Sequence, residues 1–190
     1  MRWKNGPCAI ARVPFEANGV VVPSTAKLVY NRGKVLAPNG KSYAVPESRV
    51  KLVNPSGSSF VKSVVQHAEV FKNTPYLWGG KTERGIDCSG FVQSVTFQEG
   101  IKLPRDASMQ AGVGEIVGYL PKYADLLPGD ILFFMNDKAF VFHVGIYLGN
   151  STYIHSSGKK NVVRSSLLPK GPNYLSRYGQ TFAFARRVHT

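Results

Sequence analysis

Phe60, Val61, Val64, Val65, Ala68 and Phe71 recur at intervals of three and four, the spacing of one face of a helix, and Ser59 just ahead of them is a suitable cap. A second helical pattern opens near Cys88, runs through Phe91, Val92 and Val95, and stops at Gly100. The pattern then changes. Ile131 to Met135, Val141 to Leu148, Thr152 to His155, Asn161 to Arg164 and Thr181 to Val188 read as strands separated by Gly, Asn, Pro or Ser. Helices first and a meander of strands afterwards predict an α+β domain.

The region ahead of Asn54 reads differently. Clusters such as Cys8-Ala9-Ile10 and Gly19-Val20-Val21-Val22 are punctuated by Pro14, Pro23 and Pro38-Asn39-Gly40, the look of a small all-β barrel. The turn-rich run Asn54-Pro55-Ser56-Gly57-Ser58-Ser59 is the natural boundary. Two units are therefore expected, residues 1–54 and 55–190.

Composition supports this division. The chain has 190 residues, 43% apolar, with 19 Gly and 12 Pro, enough for a buried core built with many turns. No stretch approaches the ~20 apolar residues of a membrane span, and the first residues lack the apolar run of a signal peptide. Net charge is +13. Residues 1–54 carry nine Lys and Arg against Glu16 and Glu47, so the shorter unit is the denser cation. Such a surface serves solubility, or attraction to an anionic polymer.

Two cysteines, Cys8 and Cys88, cannot build a disulfide framework, and no Cys-x-x-Cys pair is present to hold zinc. Cys88 sits in Gly85-Ile86-Asp87-Cys88-Ser89-Gly90-Phe91, where a turn gives way to the helical pattern. A thiol at a helix N-terminus is exposed to unpaired N–H groups that favour thiolate, and the same groups suit an oxyanion. A buried, inert cysteine is the alternative, and a nucleophile needs a base.

His143 and His155 lie on two adjacent strand patterns, with Gly149-Asn150-Ser151 between them. If Leu148 faces Asn150, His143 faces His155, and the imidazoles are cross-strand neighbours. That suits His143 as base and His155 as the group fixing its tautomer. Two strand histidines can also ligate a metal, but no third ligand stands at convincing spacing, so no metal or other cofactor is expected. His67 and His189 read as bystanders.

At this point the residues resemble a family. Pro75-Tyr76-Leu77-Trp78-Gly79-Gly80, Gly85 to Gln93, Leu103-Pro104-Arg105, Pro128-Gly129-Asp130, His143 to Tyr147 and Ile154-His155 are similar, in order and spacing, to the NlpC-type cell-wall cysteine peptidases. The resemblance covers about residues 60 to 188. It implies a papain-like α+β core with Cys88 as nucleophile, His143 as base and His155 as orienting residue. It also implies a substrate, the peptide stem of peptidoglycan, cut between the γ-carboxyl of D-glutamate and a diamino acid. Tyr76 matches the family's tyrosine near the nucleophile, and Asp87 and Ser89 are suited to bind a stem-peptide amine. Tyr76 is otherwise a packed aromatic, and Asp87 otherwise a helix N-cap. Arg105 is placed either to meet a substrate carboxylate or to serve the start of a helix; Asp130 reads as a turn acceptor.

The N-terminal unit resembles a bacterial SH3-like module, most clearly at Asn39 to Val50. Residues 1 to 30 match less well, and relatives often carry more such modules, so a truncated N-terminus is expected. The resulting expectation is a monomeric γ-D-glutamyl endopeptidase of the cell envelope, periplasm or exterior, acting on murein and preferring a free N-terminal L-Ala, with a cytoplasmic recycling role as a second location. The competing classes are an inactive wall-binding scaffold and a thiol acyltransferase. Scattered basic residues without aromatic stacking positions argue against nucleic acid as a partner.

Overall fold

The computed structural model describes residues 8–11, 14–17, 19–23, 26–31, 33–36, 42–52, 60–119, 125–158 and 160–188. The expected boundary and the capping residue Ser59 lie outside these.

Short strands fill the N-terminal region: β1 (Cys8–Ala11), β2 (Phe15–Ala17), β3 (Val20–Val22), β4 (Lys27–Asn31), β5 (Lys34–Leu36), β6 (Ser42–Ala44) and β7 (Val50–Leu52). Five of them form one antiparallel sheet in the order β6-β5-β4-β1-β7, and β2 pairs with β3 in a hairpin. Tyr30, Val35, Val45 and Val50 make its core, with Phe15, Leu28 and Tyr43 against them. The amide of Gln98 donates to the carbonyl of Ala11 at 2.8 Å, tying this sheet to the helical region.

The rest of the chain is α+β. Helix α1 (Phe60–Val70) is followed by the two-residue strands β8 (Lys81–Thr82) and β9 (Gly85–Ile86), then α2 (Cys88–Phe97) and the single-turn α3 (Ala107–Gln110). Strands β10 (Glu115–Tyr119), β11 (Ile131–Met135), β12 (Val141–Gly149), β13 (Thr152–Ser156) and β14 (Val162–Ser166) come next, then α4 (Ser176–Gly179) and β15 (Phe182–Arg187). The antiparallel order is β10-β15-β11-β12-β13-β14. No helix among the described residues is long and apolar enough to cross a membrane.

Central β11 explains its own uninterrupted apolar run. Ile131 and Phe133 enter the core shared with Val64, Ala68, Phe71, Phe91, Val92, Val95, Val144 and Ile146, whereas Leu132 and Phe134 enter a second core with Tyr147, Tyr153, Tyr178 and Phe182. A strand covered on both sides has no polar face to alternate with. Each fully buried Phe, Leu or Ile contributes about 1.5–3 kcal/mol, and the two clusters cover the sheet from both sides. Phe71 meets Phe91 edge to face at 6.0 Å, joining α1 to α2.

Candidate active site

Asp87 adopts an extended conformation and caps α2, its Oδ1 accepting from the amide of Gly90 at 2.7 Å. Cys88 is thereby fixed as the first helical residue. The segment ahead of it is fastened from two directions: the amide of Ile86 donates to the carbonyl of Pro75 at 3.0 Å, and the Ser156 hydroxyl on β13 donates to the carbonyl of Ile86 at 2.7 Å. The loop that leads into Cys88 is thus bonded directly to the sheet that carries the histidines.

Asp87 does more than cap. Its Oδ2 accepts from the amide of Gly79 at 2.8 Å, and Arg105 donates to both carboxylate oxygens and, at 2.9 Å, to the hydroxyl of Ser89. Arg105 is held in turn. Gln93 binds the carbonyl of Leu103, and buried Gln110 bridges the carbonyls of Pro104 and Ser89. Burial alone would raise the pKa of Asp87, but the bonds from Arg105, Gly90 and Gly79 outweigh it and hold the carboxyl below its ordinary range. Of the two roles open to Arg105, the structure shows neither in its simple form: the guanidinium neutralises Asp87.

The hairpin register differs from expectation by two residues. Ile146 pairs with Ile154 and Tyr147 with Tyr153, and an irregularity follows before Gly149 pairs with Thr152. His155 therefore lies opposite Gly145, with His143 diagonal to it. Because side chains alternate with period two, a two-residue offset keeps both rings on one face. Gly145 makes room, since a Cβ there would stand 3.1 Å from that of His155. His143 Nε2 and His155 Nδ1 are 2.7 Å apart, and His155 Nε2 is 3.1 Å from the hydroxyl of Ser165.

This chain of contacts dictates tautomers. With Nε2 engaged by His155, Nδ1 is the nitrogen His143 has left for a proton from the cavity. For Nδ1 to be basic, Nε2–H must donate to His155 Nδ1, and His155 Nε2–H must donate to Ser165. Burial drives the pKa of His143 well below its ordinary value, with His155 and Arg177 adding to the effect, and burial takes His155 to about 3. Both rings rest neutral.

Cys88 departs from expectation. Burial, then the neighbouring Asp87 carboxylate, push its thiol up to about 11, against the amides of Val144 and Ser89, which favour thiolate. The helix terminus acts in the expected direction, but desolvation is larger. The resting pair is thiol and imidazole, not thiolate and imidazolium.

Cys88 and His143 line one cavity of about 750 Å³, together with Tyr76, Asp87, Ser89, Arg105, Phe142, Arg177 and Tyr178. Its size falls within the range of small-ligand sites. Burial, then Cys88 and Asp87, raise the Tyr76 hydroxyl to about 12, so it remains a hydrogen-bond donor at neutral pH. His155 stands behind His143 rather than in the cavity wall. Trp78, 85% exposed, is at the rim.

The other singled-out residues lie elsewhere. His67 pairs with Glu99 at 2.7 Å, joining α1 to the turn that follows α2. Asp130, fully buried, accepts from the amide of Leu127 and from Arg187, as a turn acceptor would. Cys8 opens β1 but its side chain, like His189, lies outside the described residues. Among the described residues no cluster of His, Cys, Asp and Glu is fit to hold a metal.

Residues 73–178 match the NlpC/P60 family. The chain belongs to the NlpC/P60 family. It is 45% identical over 97 residues to the probable endopeptidase NlpC of Escherichia coli K12, a match covering 50% of this chain and 60% of that protein. It is 37% identical over 118 residues to the gamma-D-glutamyl-L-lysine dipeptidyl-peptidase of Bacillus subtilis 168, covering 61% of this chain and 36% of that one. The chain thus spans 60% or less of these curated relatives. The crystal structure of an NlpC/P60 family protein from Bacillus cereus superposes with a TM-score of 0.82 at 25% identity, over 97% of this chain and 64% of that one. Its likeness extends through the N-terminal sheet, and the α+β core with a six-stranded antiparallel sheet has the papain-like arrangement of this family.

Several contributors to the site carry no motif-level signal. Tyr178 comes from four-residue α4, and its ring stacks on His143. Ser165 comes from β14 and ends the imidazole chain. Half-buried Val163 pairs with His155, so Ser165, two residues further along β14, shares the face of that histidine.

Proposed function

We propose that the chain is a cysteine endopeptidase that hydrolyses the γ-D-glutamyl–diamino acid bond of peptidoglycan stem peptides. The observation that carries this reading is the 2.7 Å contact between His143 Nε2 and His155 Nδ1, beside a cavity that also holds the thiol of Cys88 at the start of α2. Membership of the NlpC/P60 family, with relatives named as an endopeptidase and a γ-D-glutamyl dipeptidyl-peptidase, supports the bond class.

The neutral resting pair sets the order of events. His143 Nδ1 accepts the proton of Cys88 as the sulfur attacks the γ-carbonyl carbon, and amides at the start of α2 stabilise the oxygen that becomes negative. The imidazolium then gives that proton to the departing amine, leaving an S-acyl enzyme. Water, deprotonated by His143, attacks the thioester, and the γ-D-glutamyl carboxylate leaves with Cys88 regaining its proton.

Tyr76, Asp87 and Ser89 form the end of the cavity proposed for the stem's L-Ala amine. Because Arg105 already neutralises Asp87, preference for a free amine over an acylated one rests on hydrogen bonding and is a few-fold, smaller than an unpaired buried carboxylate would give. Glu16 lines a separate cavity of about 470 Å³ with Arg49, and neither Glu16 nor Glu47 is among the described residues lining the catalytic one. We read residues 1–54 as an SH3-like module whose excess of cations favours an anionic wall, and 55–190 as the peptidase domain, working as a monomer in the envelope.

The test is incubation with L-Ala-γ-D-Glu-diamino acid and mass spectrometry of the products. Release of the free diamino acid by the native chain, and none by Cys88→Ala, is the expected result; cleavage at another bond, or none, rejects the reading.

A further inference from the structure

Arg177 immediately precedes Tyr178 on α4 and lines the same cavity as Cys88 and His143. Its guanidinium carbon lies 5.3 Å from the centre of the Phe142 ring and 5.9 Å from that of Tyr178. Those two rings are themselves stacked, with centroids 6.3 Å apart and planes at 20°. Aromatic stacking occupies the faces of a guanidinium and leaves its in-plane N–H donors available.

Those donors have no acid among the described residues. Arg105, Arg164 and Arg187 are paired with Asp87, Glu69 and Asp130, but no carboxylate pairs with Arg177. Of the cavity's own carboxylates, Asp87 is taken by Arg105, and Asp106 forms no ion pair with Arg177. A fixed, exposed cation without a counterion, in the wall of a reaction cavity, is built to meet an anion.

Its place identifies which part of the substrate. The proton taken from Cys88 must pass from His143 to the departing amine, so that amine comes within hydrogen-bond reach of His143. Tyr178, adjacent to Arg177 in the chain, is stacked on His143 at 4.2 Å. Groups borne by the carbon of the departing amine are therefore delivered toward Arg177. On a diamino acid these are the α-carboxyl group and a side chain ending in an ammonium or, in diaminopimelate, in an ammonium and a carboxylate.

Resting on the endopeptidase reading above, we propose that Arg177 is a specificity-determining residue that binds a carboxylate of the departing diamino acid. The anion is either the α-carboxylate of a stem that ends at this residue or the distal carboxylate of diaminopimelate. Lysine supplies only the first, and its ammonium has no partner in this arginine.

The experiment compares kcat/KM of the full chain on L-Ala-γ-D-Glu-diaminopimelate with both carboxylates free, with the α-carboxylate amidated, and with the distal carboxylate amidated, beside the lysine peptide and its C-terminal amide. Amidation of the bound carboxylate should lower kcat/KM of the native chain by about tenfold to a hundredfold, as for other hydrogen bonds between charged groups. Whichever amide is the poor substrate identifies the anion. Arg177→Gln should cut acid and amide at equal rates with an unchanged melting temperature, because the side chain is exposed, and Arg177→Lys should fall between. A native chain that cleaves these peptides but ignores both amidations overturns the inference alone. So does an Arg177→Gln loss equal for acids and amides. A native chain that cleaves none of them rejects the endopeptidase reading, and this inference with it.

Discussion

The ring of Tyr178 stacks on that of His143, centroids 4.2 Å apart and planes at 25°, while His155 meets the edge of the same tyrosine at 4.9 Å. One buried aromatic thus restrains both imidazoles. Tyr178→Phe keeps the ring and should leave kcat within about twofold, whereas Tyr178→Leu should lower kcat about threefold to tenfold with little change in KM, since an aromatic pair contributes about 0.5–1.5 kcal/mol. Steady-state kinetics on both variants checks this. Equal losses in the two would assign the effect to the hydroxyl and not to the stack.

A second expectation concerns the ionisation of Cys88. With the thiol raised to about 11 and His143 neutral, almost no thiolate is present at neutral pH without substrate. The difference in absorbance near 240 nm between the native chain and Cys88→Ala should be flat from mildly acid to mildly alkaline pH and rise only above pH 10. A step in the acid range would reveal an ion pair.

Acid should unfold the protein through the histidines. Both folded values lie below the ordinary 6.5, so the folded state favours neutral rings while the unfolded chain takes up protons near pH 6.5. Their contribution is complete above that pH and falls away below it, for His155 until about pH 3. In this window each ring lowers stability by up to about 1.4 kcal/mol per pH unit. Denaturant midpoints measured between pH 7.5 and 4 should show this slope, and His155→Leu should flatten it.

Ser165 sets the end of the tautomer chain. Ser165→Ala removes the acceptor for His155 Nε2–H and should reduce kcat by about three- to tenfold, at a stability cost of about 1–3 kcal/mol for the donor left unpaired. His143→Ala should approach the loss of Cys88→Ala, and His155→Ala should retain some activity. Adding Ser165→Ala to His155→Ala should then cost almost nothing more, which a double-mutant cycle in kcat would measure.

The sequence revealed those parts of the site that reside in local pattern. The helix beginning at Cys88 was legible because Asp87 and the apolar spacing after it mark a helix start, and β11 was legible because five successive apolar residues need burial. The face shared by His143 and His155 was legible too, but their register was not. It depends on the irregular backbone at the hairpin end, where Gly149, Asn150 and Ser151 all adopt positive φ. Strand β10 was missed because its pattern is mostly exposed at an edge. The sign of the Cys88 shift was missed because helix position is local, whereas desolvation comes from packing against Val144 and the sheet. Tyr178 and Arg105 reach their partners through tertiary approach, which no spacing along the chain encodes.

The burial of Cys88 also bears on survival between turnovers. Peroxide attacks thiolate and not thiol, beginning the conversion to sulfenic and then irreversible sulfinic acid. With a pKa of about 11, only roughly one site in 10⁴ is ionised at pH 7. The Cys88 sulfur is therefore some hundredfold less open to oxidation than a free cysteine, and in the proposed mechanism it becomes nucleophilic only when His143 takes its proton in the presence of substrate. In the envelope proposed above, outside the reducing cytosol, durability would come from the same desolvation that withholds the thiolate.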